Sequence, residues 1–74
     1  MNIWKLTYPI QDKNLVAVVI SLTPNDARTL VAKSQSFALP TTNTCKQLGT
    51  AATNIRAPEI VLMMMVEPVI NTNP

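Results

Sequence analysis

Within Val18-Val19-Ile20-Ser21-Leu22-Thr23-Pro24-Asn25-Asp26-Ala27-Arg28 the chain passes from strand to helix. The β-branched run Leu15–Leu22 is apolar at nearly every position. Val16, Val18, Ile20 and Leu22 form one face, and Leu15, Ala17, Val19 and Ser21 the other. A strand apolar on both sides belongs in the middle of a sheet that is covered twice. Thr23 then has the features of an N-cap, its hydroxyl free to accept from a first-turn backbone N–H. Pro24 suits the first helical position, where a missing N–H costs nothing. Asp26 places a carboxylate at the positive helix end. The helix is expected over about residues 24–35, with Ala27, Leu30 and Val31 as its apolar stripe. Asn25, Arg28, Thr29, Ala32 and Lys33 face outward or sideways.

Working outward, residues 2–8 alternate with period 2, Trp4, Leu6 and Tyr8 on one face, so a half-buried strand is expected there. Pro9 is expected to end it, and residues 10–14 supply a hairpin turn. After the helix, Ser36–Asn43 is a connector whose Phe37 and Leu39 tuck under the helix. A third strand is expected at residues 44–50, with Cys45, Gln47 and Gly49 opposing Lys46 and Leu48, and Gly49 marking its end or a bulge. Ala51–Pro58 reads as a loop. A fourth strand spans residues 59–66, with Ile60, Leu62, Met64 and Val66 opposite Val61, Met63 and Met65. Residues 68–74 form a tail. The fold class is therefore a small α+β domain, β-β-α-β-β, with a mainly antiparallel four-stranded sheet and one helix. Its 74 residues make one domain.

Composition excludes several function classes. The chain has six Lys/Arg, four Asp/Glu, one Cys, one Gly and no His. No His and a single Cys exclude a Cys/His zinc site, a disulfide and any His-based triad. One Gly leaves no glycine-rich phosphate loop. The four acids do not pair: Asp26 serves the helix start and Asp12 a turn, and Glu59 and Glu67 stand about 27 Å apart along one strand. Cys45 has no imidazole to activate it and reads as a small, partly buried apolar residue. The sequence thus reads as no enzyme, with no metal and no cofactor. Its apolar runs fall short of the roughly 20 residues a membrane helix needs. There is no signal-peptide pattern, so the expected location is the cytoplasm. The cations are scattered, which disfavours nucleic acid as a partner.

One helix covers one face of a small sheet, yet two strands are apolar on both faces. A domain of this size gains only about 3–5 kcal/mol from its own core, and large apolar patches are seldom left bare. A homo-oligomer is therefore expected, with Val61, Met63 and Met65 as interface residues; core filling is the alternative for the methionines. Candidate ligand or partner contacts are Arg28, Lys33, Lys46 and Arg56, the cations expected near one another. Trp4 and Tyr8 join them: their shared strand face either stacks a base or packs as core. Arg28 lies in the first turn of the helix, where free N–H groups also attract anions.

The stretch Val18–Arg28 resembles a family of short phage and prophage proteins in which a "VVVA" strand runs into a helix opening "EEAR". Lys46-Gln47-Leu48-Gly49-Thr50-Ala51-Ala52, followed by Pro58-Glu59-Ile60-Val61-Leu62, is similar to that family's "V-x-x-I-G-x-A … G-V-V-L-A-S-F" ending, although Met63–Pro74 replaces its terminus. The resemblance covers about half of the chain and implies a phage accessory protein. The leading expectation is a non-enzymatic inhibitor of a host defence component, acting by direct protein contact in the host cytoplasm. The alternatives are an oligomeric sponge for a small anionic, cyclic nucleotide and a nucleic-acid-binding accessory protein.

Overall fold

A computed structural model describes residues 1–36 and 38–67. The expected Phe37 contact under the helix and the tail at 68–74 lie outside the described residues. The elements are β1 (Asn2–Ile10), β2 (Lys13–Ser21), α1 (Pro24–Ser34), β3 (Thr44–Thr50) and β4 (Glu59–Val66). They form one antiparallel sheet in the order β3-β1-β2-β4, with α1 on one face. No helix among the described residues is long and apolar enough to cross a membrane.

β1 does not stop at Pro9. It pairs with β2 as far as Ile10↔Lys13, closed by Gln11 and Asp12 alone. In such a hairpin the closing pair exchanges both bonds, so the next pair, Pro9 and Asn14, turns its backbone groups away from the hairpin. On that side β3 pairs with β1 only as far as Thr7↔Thr44, so proline withholds no ladder bond. Gln11 turns the corner at φ 56°, a conformation in which glycine is at ease and glutamine is not. β2 correspondingly begins at Lys13 and ends at Ser21, leaving Leu22 outside the strand and exposed.

The junction to the helix forms as its residues dictate. Thr23 is the N-cap, its Oγ1 accepting from the Asp26 N–H at 3.1 Å, and Pro24 opens the first turn. Buried Ser21 donates its hydroxyl to the Thr23 carbonyl at 2.7 Å. Its own carbonyl accepts from the Trp4 indole N–H at 3.2 Å. The helix ends one residue earlier than expected, at Ser34, with Gln35 as C-cap.

Ala27 and Val31 of α1 bury against Leu6, Tyr8, Leu15, Ala17 and Val19 of β1 and β2. Trp4, Leu30, Leu39, Cys45, Ile60 and Met63 pack around this core. The connection Ala51–Pro58 carries the chain from one sheet edge to the other, about 14 Å across three strand spacings. Its start is tied down by the Ala51 N–H, which donates to the Met1 carbonyl at 2.8 Å.

Two bulges correct the expected faces. Between Val18↔Leu62 and Val19↔Ile60 β4 contains one extra residue, Val61. The side-chain alternation resets there, so Ile60 joins Met63 and Met65 on the helix side rather than Leu62, Met64 and Val66. Between Ile3↔Gly49 and Trp4↔Gln47 the extra residue is Leu48 of β3. Gly49 accordingly faces away from the helix, opposite the side expected from simple alternation with Cys45 and Gln47.

Candidate binding surface

Paired residues in a sheet share a face, so the strand register defines the surface that α1 leaves open. Three rows cross it from β3 to β4. They are Thr44–Thr7–Val16–Met64, Lys46–Lys5–Val18–Leu62 and Gly49–Ile3–Ile20–Glu59. The β3 and β1 half carries the polar pair Thr44–Thr7 and the cationic pair Lys46–Lys5, with Gly49 and half-buried Ile3 at its end. The β2 and β4 half is apolar except for exposed Glu59 at its end. Ile20 is buried, Val16 and Val18 are half-buried, and Leu62, Met64 and Val66 are 45%, 46% and 37% exposed. Lys5 and Lys46 stand directly opposite one another, both exposed. Two ammonium groups so placed repel, and a directly opposed like pair weakens a sheet.

The six expected contact residues do not form one site. Lys46 is on the open face. Arg28 is on the other side of the sheet, half-buried between α1 and the connector. Its Nε donates to Asn43 Oδ1 at 2.9 Å, and its Nη1 donates to Asn25 Oδ1 at 3.1 Å. Those bonds fasten the connector to the helix. Lys33 is exposed in the last helical turn, and Arg56 is exposed in the β3–β4 connection. Within one chain these four cations do not converge. Trp4 and Tyr8 lie beneath the helix, and Tyr8 is only 2% exposed, so its ring presents no face on which a base could stack.

Around Tyr8 the surroundings are dry enough to matter chemically. Burial pushes the Tyr8 phenol above its ordinary value, an effect that nearby Arg28 partly offsets. Cys45 is half-buried beside it, and burial likewise pushes its thiol up, again opposed by Arg28. A thiol so shifted is a poor nucleophile at neutral pH. Among the described residues no three of His, Cys, Asp or Glu gather where they could hold a metal ion.

The residues named for an interface separate by side. Met63 turns toward the end of the helix, where its sulfur accepts from Gln35 Nε2 at 2.8 Å and from Ser34 Oγ at 3.8 Å. Its side chain is therefore packed against the core cluster. Met65 shares that face but is 47% exposed, and Val61, at the bulge, is 56% exposed. Strand alternation alone did not single out Lys5 or Leu62. Both belong to the open face because of cross-strand register, and the nearest sequence signal was the two-sided apolar character of the second and fourth strands. Nothing matches this chain among protein-family models, curated proteins or solved structures.

Proposed function

We propose that this protein is a non-enzymatic binding protein that acts through the open face of its sheet by direct protein contact. The observation that carries this reading is the row Lys46–Lys5–Val18–Leu62, where two opposed cations border half-buried Val18 and exposed Leu62. The complementary partner presents an apolar patch edged by carboxylates. Its acids neutralise the Lys5–Lys46 repulsion, so binding relieves a strain of the free protein. The resemblance of Val18–Arg28 to phage accessory proteins supports a host defence protein as that partner.

A photo-crosslinking residue placed at Leu62, or in a separate variant at Lys33 on the outer side of the helix, tests this in the expressing cell. A discrete adduct from position 62 to a protein other than a second copy of this chain, lost with Lys5→Glu, is the expected result. Adducts from position 33 with none from 62 would sink the reading and move the contact to the helix. A small anionic nucleotide held instead of a protein would show as added mass on the purified chain in native mass spectrometry.

A further inference from the structure

The two edges of the sheet are built differently. β3 has Thr44, Lys46, Gln47 and Thr50 along its length and a bulge at Leu48, features that discourage strand addition. β4 has neither charge nor proline from Ile60 to Val66. Its own bulge lies near its start, at Val61, and leaves Leu62–Val66 regular. Five of the large apolar residues exposed on the protein, Val61, Leu62, Met64, Met65 and Val66, belong to this one edge strand.

The register also states which backbone groups of β4 are left unpaired among the described residues. Ile10 and Lys13 close a two-residue hairpin and bond to each other, so Leu15, Ala17 and Val19 direct their N–H and C=O groups to β1. Asn14, Val16 and Val18 then direct theirs to β4, where they meet Val66, Met64 and Leu62. Met63 and Met65 consequently point their backbone donors and acceptors out of the sheet.

We propose that β4 pairs antiparallel with β4 of a second copy, centred on Met64, to make one continuous eight-stranded sheet. In this register Met63 of each copy faces Met65 of the other, and the two pairs exchange four backbone hydrogen bonds. Met64 faces itself across the two-fold axis, and Leu62 faces Val66. Glu59 and Glu67 fall outside the paired segment, so no like charges are opposed. A second copy is favoured because the strand is self-complementary about Met64, as an isologous interface requires. Both open faces lie on the same side of the dimer. Their apolar halves merge at its centre, and each Lys5–Lys46 pair lies on a flank. The inference does not rest on the partner reading, since the edge bonds run in the plane of the sheet and the open face is perpendicular to them.

A five-residue strand pair is a small contact, so dissociation in the micromolar range is expected, roughly 1–100 μM. Sedimentation equilibrium from about 1 μM to about 1 mM reads it directly. The wild type should dimerise. Met64→Lys and Met64→Glu each set two like charges together on the axis and should weaken the dimer at least about tenfold, near 1.4 kcal/mol. An equimolar mixture of the two variants should form the heterodimer. Wild type that stays monomeric at about 1 mM, variants that dimerise as well as wild type, or a mixture that stays monomeric would each overturn the proposal. Amide exchange at Met63 and Met65 supplies a readout that needs no variant: it should slow as wild-type concentration rises, and equal rates at low and high concentration would also overturn it.

Discussion

At the residue scale, three side chains respond to their surroundings in ways that can be measured. Gln11 holds a positive φ at the β1–β2 corner, a conformation that disfavours a side chain by about 1–2 kcal/mol. Gln11→Gly should therefore raise the urea midpoint, with a net gain of about 0.5–1 kcal/mol after the larger backbone entropy of glycine in the unfolded chain. Cys45 and Tyr8 are both shifted upward by burial, from ordinary values of 9.0 and 10.0. The fold favours their neutral forms. Their contribution to stability is thus fully present below about pH 9 and is lost as pH rises through the raised folded values. Thermal melts should be flat from pH 7 to about 8.5 and fall above it, and Cys45→Val should move the onset toward higher pH. Alkylation of Cys45 by iodoacetamide at pH 8 should run slower than that of free cysteine.

At the element scale, the cap and the core-facing methionine carry the predictions. Thr23→Ala removes the hydroxyl that accepts from the Asp26 N–H, and chemical denaturation should show a loss of about 1 kcal/mol. Met63→Ala removes a side chain packed between β2 and the end of α1. A loss of about 1–2 kcal/mol is expected, below the full range for a buried methionine because Met63 is only half-buried. The helix was legible in the sequence nearly to the residue, because Thr23, Pro24 and Asp26 act on the backbone next to them. The end of β1 was not. Whether a proline stops a strand depends on what lies beside it, and here β3 has already ended where Pro9 sits.

At the scale of the whole molecule, the division of the open face into cationic and apolar halves follows from strand order. Lys5→Glu turns the opposed lysines into an ion pair with Lys46. It should raise the melting temperature modestly while removing the adduct at Leu62. A variant that gains stability as it loses binding is the mark of a surface kept unfavourable for a partner. If the two properties instead fall together, Lys5 serves the fold and not the contact.

The sequence by itself determined the element order, the cap and the two-sided apolar strands, because each rests on neighbouring residues. The tertiary structure decided which side chains share a face. Strand order β3-β1-β2-β4 set Lys5 against Lys46, and single extra residues at Leu48 and Val61 reset the alternation of the outer strands. A bulge has no dependable local signal, since it arises when two strands of unequal length must match one hydrogen-bonded ladder. The four expected cations parted because they belong to different elements, Arg28 and Lys33 to α1, Arg56 to the β3–β4 connection and Lys46 to β3: tertiary packing sends Arg28 to the connector, and strand register, fixed only when the strands meet, sends Lys46 to the open face.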